Sequence, residues 1–158
     1  MGLKADDAYG IWGDKVKKFA IGYTQGVYDM FHIGHLNLLN HAKMQCGKLI
    51  VGVNSDELVM KYKNKKTVIP EAERLEIIKN IKAVDEAMLV TTLDKIKLFG
   101  DLGFDAVFIG DDWKGTDRWK KTEEELERYG VKTIYLPYTK NISSTILRLE
   151  QENVVDER

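Results

Sequence analysis

Gly26-Val27-Tyr28-Asp29-Met30-Phe31-His32-Ile33-Gly34-His35 is the stretch on which the fold turns. Ahead of it, Phe19-Ala20-Ile21-Gly22-Tyr23-Thr24 is short, mostly apolar and reads as a strand. Behind it, Leu36-Asn37-Leu38-Leu39-Asn40-His41-Ala42 reads as a helix. Two imidazoles at this spacing lie on the same side of a helical turn. Gly34 between them lets a ligand come close to the backbone. A helix start also offers unpaired N–H groups and the positive end of a dipole, and both favour an anion. Strand, short loop, paired His32 and His35 and helix start together predict a phosphate cradle. Three histidines and one cysteine in the whole chain leave few partners for a zinc ion. A bare His-x-Gly-His also arises incidentally at helix starts, and the strand in front of it argues against that reading. His41 falls mid-helix, as a structural or surface residue.

Outward from this stretch the pattern alternates. Strands are predicted over residues 19–24, 48–53, 86–90, 106–109 and 132–136, and helices over 35–44, 71–81, 93–102, 119–129 and 143–150. Pro70 opens the second of these helices, in which Leu75, Ile78 and Ile81 recur at helical spacing; Gly103 and Gly130 stop the third and fourth. Short apolar strands separated by helices make βαβ units and a parallel sheet. Right-handed crossovers then put helices on both faces, an α/β, Rossmann-like, doubly wound sheet of five strands in a single domain. Residues 1–18 read as an N-terminal extension, with Tyr9 and Trp12 as docking residues, and residues 19–158 as the domain. Ligands bind such sheets beyond the carboxyl ends of the strands. Three loops there are rich in chemistry: 26–35, 110–118 and 137–145. Neither a Gly-x-Gly-x-x-Gly nor a Gly-x-x-x-x-Gly-Lys-Ser/Thr run is present, which argues against a dinucleotide-dependent dehydrogenase and a P-loop kinase.

The bulk numbers narrow the class. The 158 residues suffice for one ordinary domain with its own core. A hydrophobic content of 44% with 31% charged residues fits a globular protein rather than a disordered one. A formal net charge of -1 supplies no general field toward nucleic acid. The four lysines within Lys61 to Lys66 are a local exception. Cys46 is alone and reads as structural at a helix end, which fits a reducing cytoplasm. The polar first 18 residues do not read as a signal peptide, and no apolar run approaches a membrane span.

The run Gly26-Val27-Tyr28-Asp29-x-x-His32-x-Gly34-His35 resembles the Gly-Thr-Phe-Asp-x-x-His-x-Gly-His of the cytidylyltransferase branch of the nucleotidyltransferases. Asn141-Ile142-Ser143-Ser144-Thr145 is similar to that family's Gly-Ile-Ser-Thr-Thr. Between them lie Asn54-Ser55-Asp56-Glu57, the lysine cluster, Glu73-Arg74, Val84-Asp85-Glu86 and Gly110-Asp111-Asp112-Trp113-Lys114-Gly115. The likeness covers residues 19 to about 150 and is strongest to the glycerol-3-phosphate cytidylyltransferases. It implies that CTP and a small phospho-alcohol give a CDP-alcohol and pyrophosphate. It also implies Mg²⁺ carried by CTP without a protein cage, and a homodimer without nucleic-acid partners.

The resemblance assigns residues as well. His32 and His35 would donate to reacting phosphate oxygens, helped by Lys61 and Lys63 and by Arg74 near the substrate phosphate. Gly26, Val27, Tyr28, Asp111, Tyr138, Thr139, Ile142, Ser143, Ser144 and Thr145 would bind nucleotide. Asp29, Asp56, Lys65, Arg74 and Trp113 would surround the acceptor, Trp113 either as a pocket wall or as a core anchor. Plain N-capping is the other reading of Ser143, Ser144 and Thr145. The departures touch specificity: Tyr138 stands where the family carries an arginine, Lys140 where it carries a glutamate, and Val27 where it carries a threonine. Glycerol 2-phosphate or ethanolamine phosphate as acceptor, ATP as nucleotide, and a nucleotide-binding module without catalysis remain as alternatives.

Overall fold

The computed structural model describes residues 17–137. Five strands form one parallel sheet: β1 (Phe19–Gly26), β2 (Cys46–Asn54), β3 (Glu86–Val90), β4 (Ala106–Gly110) and β5 (Lys132–Leu136). Their order is β3-β2-β1-β4-β5, with every neighbouring pair parallel. Five helices connect them: α1 (Ile33–Gln45), α2 (Asp56–Lys63), α3 (Glu71–Lys79), α4 (Lys95–Leu102) and α5 (Asp117–Glu127). A 3-10 turn, Asp111–Trp113, follows β4. The expected Rossmann-like α/β sheet of five strands is therefore the fold. The N-terminal extension, Tyr138, Thr139 and the run Asn141 to Thr145 with its helix lie outside the described residues.

Strand alternation builds two cores. Leu49, Val51 and Val53 of β2 point to one face, where they meet Leu39 and Ala42 of α1 and Ile78 of α3. Ile50 points to the other face, with Tyr23, Val107, Leu98 of α4 and Trp119 and Leu126 of α5. A strand buried on both faces has no polar side to show, which is why β2 reads as a continuous apolar run.

The differences from the sequence reading lie at the ends and in one helix. α1 begins at Ile33 rather than 35, because His32 itself is the cap. Asp94 caps α4, so that helix starts at Lys95 rather than 93. α3 stops at Lys79 rather than 81, and α5 runs two residues earlier than 119–129 at both ends. Cys46 caps α1 and is also the first, fully buried residue of β2. The stretch after β2 holds a helix, α2, that the reading left out; only Leu58 and Val59 on it are buried, too few for a visible periodicity. Its local signals are a Ser55 cap accepting from the Leu58 N–H and a left-handed Asn64 at its end.

Candidate active site

The strand order reverses between β1 and β4, whose connections leave toward opposite edges of the sheet. A parallel sheet opens a crevice at such a point. A cleft of about 440 Å³ occupies it, lined from the ends of β1, β2 and β4 and by Leu93 and Pro137 from the segments that follow β3 and β5.

The first wall is the loop after β1. Tyr28 and Met30 both take left-handed backbone angles, φ 57° and 50°, which cost a side-chain-bearing residue of order 1 kcal/mol or more each. Tyr28 is buried, and its hydroxyl hydrogen-bonds with Thr24. Its ring lies so close to the end of β1 that a Cβ on Gly26 would stand 3.0 Å from it, so any larger residue there would have to push the ring aside by a few tenths of an ångström. The same ring meets His35 edge-on at 5.4 Å. Asp29 is buried, and its carboxylate accepts from the Val68 and Ile69 N–H groups at 2.8 and 2.9 Å.

His32 and His35 are fixed by the helix they open. The Gly34 N–H donates to His32 Nδ1 at 3.1 Å, and the His32 N–H donates to His35 Nδ1 at 3.3 Å, a reciprocal capping box. The rings stack at 3.7 Å with 22° between their planes. Since both Nδ1 atoms accept, a neutral ring carries its proton on Nε2. Burial, then the neighbouring His32, push the His35 pKa down to about 3 against the opposing pull of Asp29; burial also lowers His32. Near neutral pH the pair is thus two uncharged N–H donors side by side at a helix start.

This has a consequence for the free protein. An unfolded His35 takes up a proton near pH 6.5, whereas the folded one does so near 3. Between these values the unfolded chain binds more protons, so stability falls as pH drops through that window. In urea titrations from pH 7 to 4, the His35→Gln variant is expected to lose less stability than the wild type. Equal slopes would contradict the buried neutral ring.

Lys63, Lys65 and Lys66 line the same cleft as the histidines, from the end of α2 and the segment after it. Lys61 and Lys63 sit on the last turn of α2, and Lys65 on the segment after it. Lys61 faces away from the cleft and pairs with Glu57 at 3.2 Å, both well exposed. Arg74 and Asp56, expected beside a substrate phosphate, line no part of the cleft. Arg74 is 1% exposed. Its Nη1 donates to the carbonyls of Val27 and Asn54, Nε to Ile69 O, and Nη2 to Asp56 at 2.6 Å. Asp56 also accepts from Thr67 Oγ1 and the Glu71 N–H. Desolvation alone would raise the Asp56 pKa, and these hydrogen bonds together outweigh it and hold the carboxyl low. Arg74 thus ties the histidine loop, the end of β2 and the segment before α3 into one piece.

After β4, Asp112 rather than Asp111 lines the cleft, with its pKa raised by burial. Trp113 is 41% exposed and lines the same cleft, so it is a wall rather than a core anchor. Gly26, Val27, Tyr28, Asp29, His32, His35 and Lys65 all line it too. The sequence reading missed Lys66, Lys95, Asp112, Arg118 and Trp119. Lys66 and Asp112 adjoin residues it did single out, and Arg118 ends the loop 110–118 that it marked as rich in chemistry; Lys95 and Trp119 carry no local signal. Among the described residues no group of three or more His, Cys, Asp or Glu gathers as a metal cage. The donors around the cleft, mostly imidazole and ammonium N–H, suit an anion that brings its own cation.

Comparison with known proteins agrees with this fold. Residues 23–150 match the model of the family described as cytidylyltransferase-like. An FAD synthase of Thermococcus onnurineus is 33% identical over 117 residues, covering 72% of this chain and 76% of that protein. The crystal structure of a lipopolysaccharide core biosynthesis protein from Thermoplasma volcanium shares the fold with a TM-score of 0.64 at 24% identity, over 78% of this chain and 99% of the other. A pantothenate synthetase from Thermus thermophilus does so with a TM-score of 0.61 at 13% identity, over 93% and 68%. The chain is a member of the cytidylyltransferase-like family and has the fold of a nucleotidyltransferase.

Proposed function

We propose that the protein transfers CMP from CTP to the phosphate of a small phospho-alcohol, glycerol 3-phosphate foremost, and releases pyrophosphate. A phosphate oxygen of the acceptor attacks the α-phosphorus of CTP, the bond to the bridging oxygen breaks, and that oxygen leaves with the pyrophosphate. The nucleophile is already an anion, so the protein supplies position and charge stabilisation rather than a strong base. His32 and His35 would present their Nε2–H groups to the oxygens on which charge grows. Lys63, Lys65 and Lys66, which line the same cleft, would hold the departing phosphates. Mg²⁺ brought in with CTP would supply further neutralisation of the leaving pyrophosphate.

The stacked histidine pair, with both Nδ1 atoms occupied by backbone N–H groups, carries this reading. Such a pair can only donate, and two neutral donors at a helix start that share a cleft with three lysines suit a polyphosphate. A second reading has one observation in its favour, the relative named FAD synthase. An activity of that kind would join AMP from ATP to FMN, which is also a phosphomonoester.

Pyrophosphate release separates these readings. Purified protein with Mg²⁺ is offered CTP or ATP at equal concentration, with glycerol 3-phosphate, glycerol 2-phosphate, ethanolamine phosphate or FMN. Fastest release is expected with CTP and glycerol 3-phosphate. Release only with ATP and FMN would transfer the assignment to the second reading. Tight CTP binding without turnover on any acceptor would make the protein a nucleotide-binding module.

A further inference from the structure

Four polar side chains form a hydrogen-bonded line into the cleft that no step of the proposed reaction uses. Tyr23, fully buried, donates its hydroxyl to Gln25 Oε1 at 2.7 Å. Gln25 Nε2 donates to Thr92 O at 3.0 Å and to Asn54 Oδ1 at 2.8 Å. Asn54 Nδ2 donates in turn to the Tyr62 hydroxyl at 3.0 Å. Gln25, Asn54 and Tyr62 all line the cleft.

One backbone carbonyl sets the direction of the whole line. Thr92 O can only accept, so the Gln25 nitrogen must face it. The second hydrogen of that nitrogen meets the Asn54 side chain, which must then present its oxygen. Asn54 has only its NH₂ left for Tyr62, so the Tyr62 oxygen accepts. The hydrogen on Tyr62 is turned away from the line, and among the described residues nothing accepts it. Burial raises the Tyr62 pKa, against the Asn54 bond and the nearby Arg118 and Arg74, and so keeps that hydrogen in place.

The place narrows what it can meet. The line crosses the ends of β1 and β2 and the segment after β3, whereas Asp112, Trp113 and Pro137 border the cleft from the side of β4 and β5. A flat indole wall next to a carboxylate suits a base and its ribose. The opposite end is then left to the acceptor. Phosphate charge is met by the lysines and Arg118 of the same cleft. A neutral donor of fixed direction suits an uncharged oxygen, such as an alcohol hydroxyl. An ammonium there would meet an O–H aimed at it, with the charge of Arg118 close by.

We infer that Tyr62, oriented through Gln25 and Asn54, donates to a hydroxyl of the acceptor's alcohol and so selects a polyol phosphate over an amino-alcohol phosphate. The inference rests on the reading of the protein as a transferase to phospho-alcohols. It adds the group that tells those alcohols apart.

Binding to the whole chain tests it without turnover. Wild type, Tyr62→Phe and Asn54→Asp are titrated calorimetrically with glycerol 3-phosphate, ethanolamine phosphate, n-propyl phosphate, which has no hydroxyl, and, separately, MgCTP. Wild type should bind glycerol 3-phosphate best of the small phosphates. Tyr62→Phe should weaken glycerol 3-phosphate roughly three- to tenfold, the weight of one neutral hydrogen bond, and propyl phosphate and MgCTP about twofold or less. Retained propyl phosphate binding shows that the variant folds. Asn54→Asp reverses the line: one carboxylate oxygen accepts from Gln25 and the other from Tyr62, whose hydrogen then turns inward. In that variant the preference for glycerol 3-phosphate over ethanolamine phosphate should fall roughly tenfold or more. Equal losses for glycerol 3-phosphate and propyl phosphate in Tyr62→Phe, no loss at all, or loss of MgCTP binding instead would each overturn the inference. So would an unchanged preference in Asn54→Asp or a wild type that binds none of the small phosphates. A wild type that selects glycerol 3-phosphate through Tyr62 yet releases no pyrophosphate would leave the alcohol site standing and remove the transferase reading.

Discussion

Replacing His35 by alanine is expected to cut turnover roughly a hundred- to a thousandfold, while the lost cap on the His32 N–H costs only about 1 kcal/mol of stability. That range is the loss seen when one donor to developing charge is removed. The argument runs from the proton position. His35 Nδ1 already accepts from the His32 N–H, so its only free hydrogen is the one on Nε2, at the cleft. The effect should appear in kcat more than in KM, because the charge it meets grows in the transition state. His35→Gln keeps a donor of similar reach and should recover part of the rate. Steady-state kinetics of the two variants decide the matter; an alanine variant within a fewfold of wild type would remove His35 from the chemistry.

The second large effect concerns the fold rather than the reaction. Arg74→Met should destabilise the protein by about 3–5 kcal/mol, the usual loss when one partner of a buried charged network is taken away. For a chain of this size that is roughly 6–20 °C in Tm. Methionine fills similar space, so the loss isolates the hydrogen bonds. It takes the Arg74 donors from the carbonyls of Val27, Asn54 and Ile69, and leaves the Asp56 carboxylate with only Thr67 Oγ1 and the Glu71 N–H. Lysine should not rescue it, since one ammonium cannot reach acceptors spread around a planar fork. Calorimetric scans of both variants test this, and an unshifted Tm would mean that the three segments hold together without Arg74.

Much of the architecture was legible because both faces of the sheet are covered. Leu49 to Val53 alternate between two cores and so show no polar positions, and that unbroken run announces a central parallel strand. The histidine loop was legible because glycine, paired imidazoles and a helix start coincide within ten residues. Hydrophobic pattern was silent on α2, whose exposed face outweighs Leu58 and Val59. Arg74 and Asp56 were placed at the site's edge by likeness alone, because no pattern distinguishes an arginine that reaches substrate from one that reaches backbone carbonyls. Lys95 was invisible for a related reason: a lysine at a helix start reads as solvated, and only the packing of Trp119 from a distant segment buries it.

The grip of Asp29 on the amides of Val68 and Ile69 bears on how such a protein can change. The cationic stretch is pinned at its downstream end to the loop that carries the imidazoles, and α2 pins it upstream. Length and composition are therefore free to drift only over a few residues around Asn64 to Lys66. Anyone wishing to retrain the enzyme toward a bulkier acceptor has that short window to rewrite, and should leave the aspartate and its two amides untouched.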